Sequence, residues 1–400
     1  MTKDQFIKEL KKKVKSLKVP PEYWGINIDE FFDYQWNIYL SIRETAGKTT
    51  QSLTLALCAA SISPEHYGCF AYLRNDTAQT TRAHIETLFG TVVKLGYIAK
   101  IFNNRYNDII YRTQSKKFYL CTRDGDGNII DTAPDPICSV HSLENWQTDK
   151  SSVNIPNCNI IILDEFPDTS RATYKIFAEL LNEVSTIGRP MSEGRREWLH
   201  ILLLGNNTDE YCFYFDDFQI AEEIPYLKFG GSITFRTEYN TTGICRLLEL
   251  GETQKKRLSD KNIPFLGFPG KKAAPFTGST EFGGKSYRHP SEDLDYDMCK
   301  FRRAYLFHRN RYIQFDFFED PEKGRFIFAH FASAPKLNDN IIFTLEPSNA
   351  YEIYGFGKYC KNDRILRICK MLTSCLQENR FYYASNKVGS LIDDFIKNIV

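Results

Sequence analysis

Uninterrupted runs of apolar residues, each followed by a polar or glycine-containing stretch, recur through the first half of the chain. Four runs have the length of strands and lack alternating polar positions: Trp36–Ser41, 68–73, 159–163 and 201–204. Strands without alternation are typical of parallel sheets that are covered on both faces. Helical runs are interleaved with them, at 51–62, 77–95 and 174–184. The pattern therefore predicts a parallel α/β sheet.

The second half of the chain has a different pattern. Residues 258–290 are rich in Gly, Pro, Lys and Thr, which is typical of a linker. Three aromatic strands joined by short turns are then predicted, followed by a helix, a strand and a helix: 304–308, 312–318, 325–331, 363–376, 380–383 and 387–399. A three-strand meander followed by α/β elements predicts a separate C-terminal domain with an RNase H-like layout.

The N-terminal segment has apolar residues at helical spacing and lysines elsewhere, which predicts a basic amphipathic helix. Its lysines form either a solvated face or a contact with nucleic acid or a neighbouring subunit. We therefore expect four regions: the basic helix over 1–27, a nucleotide domain over 28–230, a lid or linker over 231–290, and a nuclease-like domain over 291–400.

Composition narrows the class of protein. The chain has 51 basic and 50 acidic residues, so a polyanionic partner must be bound by a local basic patch. Its eleven cysteines include no C-x-x-C pair, which favours reduced, buried thiols in a cytosolic protein. We see no apolar run of membrane-spanning length and no signal peptide, so a soluble intracellular protein is expected.

A phosphate-binding loop is predicted where the first strand gives way to a helix. The segment reads Ile-Arg-Glu-Thr-Ala-Gly-Lys-Thr-Thr, and its candidate nucleotide-binding residues are Arg43, Glu44, Thr45, Ala46, Gly47, Lys48, Thr49 and Thr50. Backbone N–H groups at a helix N-terminus bind phosphates. Lys48 would reach the β- and γ-phosphates, and the Thr49 hydroxyl would ligate Mg²⁺. The usual first glycine is missing, since Ile42 occupies its position.

Polar residues end two other buried runs. Asp164 and Glu165 follow the run at 159–163, and Asn206 follows the run at 201–204. Carboxyl ends of parallel strands meet at the edge where open α/β sheets bind ligands. Asp164 would hold Mg²⁺, Glu165 would polarise the attacking water, and Asn206 would contact the γ-phosphate or that water. The predicted cofactors are ATP and Mg²⁺, and the predicted fold is an ASCE-type P-loop NTPase.

In this context the sequence resembles the DNA-packaging ATPases of small tailed phages, podophages whose genomes carry a terminal protein. The similarity is strongest over 68–207 and rests on short motifs in the same order: Tyr-Leu-Arg at 72–74, Trp-Gln-Thr-Asp-Lys-Ser at 146–151, Asp-Glu-Phe at 164–166, Leu-Leu-Asn at 180–182 and Leu-Gly-Asn at 204–206. The resemblance implies an ATPase domain, a linker and a vestigial nuclease-like domain.

The resemblance also implies residue roles and partners. Arg189 matches an arginine finger that acts across the subunit interface, Lys150 matches a second basic residue there, and Arg43 matches the residue that couples the loop to ring motion. Arg195 and Arg196 are the next candidates for the finger. The implied partners are double-stranded DNA, the prohead portal vertex with or without a structural RNA, and further copies of the chain in a ring, a pentamer in this family. The implied location is the host cytoplasm, with no membrane contact.

Three alternatives remain open on the sequence. A small-molecule kinase would share the phosphate-binding loop. It would need a pocket for the phosphate acceptor, and it would not need the C-terminal domain. A terminase with an active nuclease needs an acid on the first strand of that domain, yet 304–308 has none and the nearest acids are Asp316, Asp393 and Asp394. We therefore expect no nuclease activity. A structural protein that binds no nucleotide is the third alternative.

Overall fold

The computed structural model describes most of the chain in two compact units. The described residues are 1–20, 23–41, 47–144, 155, 157–166, 176–187, 198–206, 212–221, 223–228, 230–237, 240–248, 300–320, 324–336, 340–357, 360–378 and 380–399. One unit comprises Met1–Thr208 and Cys212–Gly283, and the other comprises Asp209–Tyr211 and Gly284–Val400.

The first unit is built on a ten-stranded sheet. Its strands are β1 Trp36–Ser41, β2 Cys69–Arg74, β3 Asp108–Arg112, β4 Lys117–Arg123, β5 Ile129–Thr132, β6 Cys138–Ser142, β7 Cys158–Asp164, β8 His200–Asn206, β9 Ser232–Arg236 and β10 Thr242–Leu247. Their order is β3-β4-β6-β2-β7-β8-β1-β10-β9, with β5 paired to β4. From β6 to β10 all neighbours are parallel, and antiparallel strands lie only at the two ends. The predicted parallel α/β sheet is confirmed.

Helices cover both faces of this sheet. They are α1 Lys3–Ser16, α2 Ile28–Asp33, α3 Lys48–Ile62, α4 Pro64–Tyr67, α5 Arg82–Ile85, α6 Gly90–Lys94, α7 Tyr97–Ile101, α8 Ile176–Ile187 and α9 Phe213–Asp217. Side chains of β7 alternate between the two cores: Ile162 packs with α1 and α3, whereas Ile161 and Leu163 pack with α8 and α9. Burial on both faces explains why the strand runs contain no polar alternation.

The N-terminal helix belongs to the core of this unit. Helix α1 buries Phe6 and Leu10 beside α3, while Lys8, Lys12 and Lys15 on its other face are exposed. Thr2 caps the helix, and the side chain of Gln5 bonds back to the Thr2 backbone. The predicted amphipathic helix is confirmed, with its apolar face buried and these three lysines exposed on the other face.

Parts of the first unit differ from the prediction. Residues 77–95 form no continuous helix: a 3₁₀ turn at Thr77–Thr80 is followed by an extended Thr81 and then by the short helices α5 and α6. Strand β6 was not predicted, because its Ser139 and His141 are polar although buried. Strand β10 was also missed, and with β9 it lies in the stretch assigned to a lid or linker. That stretch therefore begins with two strands of the sheet.

In its described residues, the second unit contains a six-stranded sheet and two helices. Its elements are β11 Lys300–His308, β12 Arg311–Asp320, β13 Gly324–Ala332, β14 Ile342–Thr344, β15 Glu352–Tyr354, α10 Asp363–Gln377, β16 Phe381–Tyr383 and α11 Asn386–Lys397. The strand order is β15-β14-β11-β12-β13-β16, with an antiparallel meander at β11-β12-β13 and parallel pairing elsewhere. Both helices pack on the core of this sheet. The predicted meander and the helix–strand–helix segment are confirmed.

The structure shows the state of the cysteines and the apolar character of the helices. Within the described ranges the cysteines are free thiols, and all of them except Cys360 are buried. In the same ranges no helix combines the length and the apolar character that crossing a membrane requires.

Candidate functional site

The first turn of α3 starts at a glycine whose conformation and surroundings exclude a side chain. Gly47 has φ +70°, in the left-handed region, and a Cβ placed on it would lie 2.6 Å from Cγ of Tyr23. No side chain caps the helix at this point. The N–H groups of the first turn of a 15-residue helix therefore point toward the carboxyl edge of the sheet, where they can bind an anion.

Lys48 lies in this first turn and is buried. Its Nζ donates a hydrogen bond to Oγ of Ser41, the last residue of β1. The side chain is only 7 % exposed, which places an ammonium group inside the edge of the sheet rather than in solvent. A buried cation requires anionic or polar partners, and phosphate oxygens are suitable partners.

Asp164 ends β7 and meets the same helix turn. Its Oδ2 accepts hydrogen bonds from Oγ1 of Thr49 at 2.8 Å and from the hydroxyl of Tyr72 at 2.8 Å. Burial, and then the charge of Asp164, raise the pKa of Tyr72, so its hydroxyl remains a donor. A threonine hydroxyl beside a carboxylate is a set of hard oxygen donors, which suits Mg²⁺. The residues present therefore fit the predicted metal.

Arg74, the last residue of β2, bridges both acids. It forms ion pairs with Glu165 and, at 3.5 Å, with Oδ2 of Asp164, and its Nε donates to the Tyr72 hydroxyl at 3.0 Å. Burial lowers the pKa of Arg74, but the neighbouring Tyr72, Asp164 and Glu165 outweigh it and raise the pKa. The guanidinium is thus a fixed positive charge at the edge of the sheet.

Glu165 follows Asp164 in a tight turn. Its φ is +59°, and its backbone N–H donates to Oδ1 of Asp164 at 3.0 Å. The side chain is half exposed, so one face of the carboxylate is open to solvent while Arg74 binds the other. A carboxylate in this position can accept a proton from water beside a phosphate bound at the turn of α3.

Strand order brings these residues together. Strand β8 lies between β1 and β7, with Ser41 in register with Asn206 and Asp164 in register with Leu204. The ends of three parallel strands and the start of α3 thus converge at one edge. Asn206 is the last residue of β8, and the structure describes its backbone only.

The structure describes only some of the predicted site residues. Gly47, Lys48, Thr49 and Thr50 lie in or next to the first turn of α3, opposite Asp164 and Glu165. The other candidates lie outside the described residues: Arg43, Glu44, Thr45, Ala46, Lys150, Arg189, Arg195 and Arg196.

Three residues of the site were not predicted from the sequence: Ser41, Tyr72 and Arg74. Each lies at the carboxyl end of a strand or within two residues of it, and that position is the signal that could have found them. Tyr72 and Arg74 belong to a motif that carries the family resemblance, although no role was assigned to it. Their functions depend on pairing between strands, which a single sequence does not display.

The acids of the second unit have different surroundings. Asp316 accepts from Nε2 of Gln314 at 2.7 Å and contacts Nε2 of His330 at 3.1 Å. Asp394 contacts Nε2 of His308 at 2.7 Å and accepts from Nε of Arg309 at 3.2 Å. In the part of the chain that the structure describes, no group of three or more His, Cys, Asp or Glu residues is arranged to hold a metal ion.

Comparisons with known proteins find similarity at the level of structure. No family model matches the chain, and no curated protein matches it. Among solved structures, the N-terminal domain of the DNA packaging ATPase of bacteriophage phi29 is 20 % identical over 49 % of this chain and 86 % of that one, with a TM-score of 0.35.

A second group of similar structures comes from another phage. The large terminase ATPase domain of Thermus phage P74-26 is 10 % identical over 62 % of this chain and 89 % of that one, with a TM-score of 0.35. A mutant of that domain is 10 % identical over 46 % of this chain and 64 % of that one, with a TM-score of 0.29. These similar structures are packaging or terminase ATPase domains of phages, at identities of 10–20 %, and the function has to follow from the residues of the site.

Proposed function

We propose that this protein is an ATP-hydrolysing motor that translocates double-stranded DNA into a phage prohead. The observation that carries the nucleotide part of this proposal is the 2.8 Å hydrogen bond from Thr49 to Asp164. It joins the start of a helix after a glycine turn to a carboxylate on a strand that is not adjacent to β1. This is the arrangement of the ASCE class of P-loop NTPases.

Each residue then has a distinct task. Lys48 neutralises the β- and γ-phosphates, and the N–H groups of the first turn of α3 hold their oxygens. Thr49 and Asp164 hold Mg²⁺, which when bound offsets negative charge on the phosphates. Glu165 takes the proton of the attacking water, and Arg74 anchors its carboxylate.

The motor part of the proposal rests on the sequence. The motifs shared with phage packaging ATPases support a homo-oligomeric ring at the portal vertex in the host cytoplasm. In that ring Arg189 and Lys150 of one subunit act on the nucleotide of the next, and Arg43 couples the loop to ring motion. Asn206 senses the γ-phosphate from the end of β8.

We further propose that the second unit is a vestigial nuclease-like domain. The sheet order β15-β14-β11-β12-β13, with an antiparallel meander and two parallel strands beside β11, supports an RNase H-like layout. The pairing of Asp394 with His308 and Arg309 supports the absence of nuclease activity, because an imidazole nitrogen and a guanidinium already contact this carboxylate. Binding to DNA would involve phosphates, since a motor has to move any sequence.

ATP hydrolysis measured with and without long duplex DNA tests the proposed function. We expect turnover to rise with duplex DNA, and the rise to shrink steeply as salt increases. Glu165→Gln provides the matched inactive protein. A rate of ATP hydrolysis that does not change with duplex DNA, or phosphate transfer to a small acceptor molecule, would instead favour the kinase alternative.

A mixing experiment tests the role of Arg189. Subunits with Arg189→Ala are mixed with subunits with Glu165→Gln. If Arg189 acts across the interface, some interfaces in mixed rings pair an intact Glu165 with an intact Arg189, and part of the activity returns. No recovery in confirmed mixed rings would rule the finger out, and Arg195 or Arg196 would be examined next.

A further inference from the structure

The backbone of Glu165 has a conformation that its residue type disfavours. Its φ of +59° lies in the left-handed region, where a Cβ crowds the following carbonyl. Such a conformation persists only where the surroundings enforce it. The hydrogen bond from its N–H to Asp164 fixes one end of the turn, and other groups have to fix the carbonyl end.

Asn75 supplies these groups from the residue after β2. Its Nδ2 donates to the carbonyl oxygen of Phe166 at 3.1 Å and makes a longer contact, 3.5 Å, with the carbonyl oxygen of Glu165. The amide is buried, with 8 % of the residue exposed, so little water competes for these carbonyls. Asn75 therefore binds the peptide groups on the carboxyl side of the left-handed residue.

Tyr214, in α9, orients the Asn75 amide. Its hydroxyl donates to Oδ1 of Asn75 at 3.3 Å, which leaves Nδ2 facing the two carbonyls. Burial raises the pKa of Tyr214, so the hydroxyl keeps its proton. The Tyr214 ring also packs edge-on against Phe166, with centroids 5.3 Å apart, and the Phe166 N–H donates to the Leu204 carbonyl. The turn is thus held by three elements of the sheet and one helix.

We propose that Asn75, oriented by Tyr214, is a positioning residue that holds Glu165 in its left-handed turn and so aims the carboxylate at the water. This role rests on the proposed function, because it assumes that Glu165 acts on water. Arg74 binds the side chain of Glu165, whereas Asn75 fixes the backbone from which that side chain projects.

The contact of Asn75 with the turn at Glu165 is called the clamp below. A double-mutant cycle of thermal unfolding measurements tests it without any assay of activity. Asn75→Ala should lower the midpoint of thermal unfolding by about 3 °C or more in the wild-type background. In a Glu165→Gly background the loss should be larger, because relaxation of the turn releases strain at Glu165 and so offsets part of the wild-type loss, whereas glycine has no such strain to release. In a Glu165→Gln background it should match the wild-type loss, since glutamine keeps the Cβ and removes only the charge.

Asn159→Ala is the matched control. Asn159 lies on β7, is also buried, and donates one amide hydrogen bond to the His66 carbonyl at 2.9 Å. Its loss should lower the midpoint equally in all three backgrounds. If Asn75→Ala behaves in the same way, with an equal loss in the glycine background, the clamp is overturned.

Steady-state kinetics test the consequence for hydrolysis. Asn75→Ala should lower kcat by about tenfold or more while KM for ATP and the Mg²⁺ requirement stay within about twofold, because the residues that bind phosphate and metal are untouched. Tyr214→Phe should lower kcat in the same direction and by less. An unchanged kcat in Asn75→Ala overturns the positioning role. If the wild-type protein hydrolyses no ATP, the proposed function fails, and the unfolding cycle still decides whether the clamp exists.

Discussion

Two aspartates, the buried Asp164 of the first unit and the partly buried Asp394 of the second, show how the surroundings of a carboxylate decide its use. Asp164 receives the hydroxyls of Thr49 and Tyr72 at 2.8 Å, and its cationic neighbour Arg74 is 3.5 Å away. Asp394 has Nε of Arg309 at 3.2 Å and Nε2 of His308 at 2.7 Å. Neutral hydroxyls leave negative charge for a metal ion, whereas a close guanidinium compensates it. The same residue type is suited to Mg²⁺ in one unit and to a fixed contact in the other.

The largest effect is expected from Lys48, the buried cation in the helix turn that Asp164 contacts. Lys48→Ala should weaken ATP binding by about 2–5 kcal/mol, because phosphates would lose a buried charged donor. Equilibrium titration with ATP measures this loss. Lys100→Ala, at an exposed position, is the control and should bind ATP like the wild type. Equal affinities in the two variants would contradict the phosphate-loop interpretation.

The next prediction separates the two adjacent acids. Asp164→Asn should lose Mg²⁺-dependent nucleotide binding, whereas Glu165→Gln should bind ATP with Mg²⁺ but hydrolyse it about 10²–10⁴-fold more slowly, since an amide cannot accept the proton. Metal titrations and single-turnover hydrolysis measure the two properties. The division of roles would be wrong if both variants lost metal binding alike.

The smallest effect on nucleotide chemistry is expected at Asp394. Burial alone would raise its pKa, but the hydrogen bond from His308 and the charge of Arg309 outweigh burial and lower it below the usual 3.8. A lowered folded-state pKa contributes stability that is present above pH 3.8 and is lost as the pH falls through the folded value. Asp394→Asn should therefore remove this acid-dependent part of the unfolding free energy, about 1–3 kcal/mol, and leave ATP affinity unchanged.

Denaturant unfolding of the full-length variant between pH 2 and pH 6 measures the contribution of Asp394. Asp393→Asn, one residue away on the same helix, provides the neighbour for comparison. An Asp394→Asn profile parallel to that of the wild type would show that the pairing with His308 and Arg309 does not stabilise the folded protein.

Much of the fold could be predicted from the sequence because it depends on local patterns. Apolar runs marked β1, β2, β7 and β8, and aromatic runs marked the meander of the second unit. Strand β6 was missed because its buried Ser139 and His141 are polar, and β10 was missed because its short apolar run is interrupted by Gly243 and Arg246. The Thr77–Leu95 segment was misjudged as one helix because short turns interrupt an otherwise helical spacing.

The same distinction separates the site residues that could be predicted from those that could not. Lys48, Thr49, Asp164 and Glu165 were predicted, since each belongs to a short motif beside a strand. Arg74 and Asn75 were not, because their contacts cross from β2 to the turn after β7, and pairing between strands is decided by the whole sheet. The positive φ of Glu165 could also not be predicted from the sequence, because glutamate normally avoids this conformation.

The position of β10 has a mechanical consequence. This strand pairs in parallel with β1, from Gly243 opposite Trp36 to Leu247 opposite Leu40, and the chain continues from it toward the second unit. A force along the axis of β10 would shear its hydrogen bonds with β1 together and would not open them one after another. Because β1 ends at Ser41, the partner of Lys48, a pull would reach the start of α3 through a single strand.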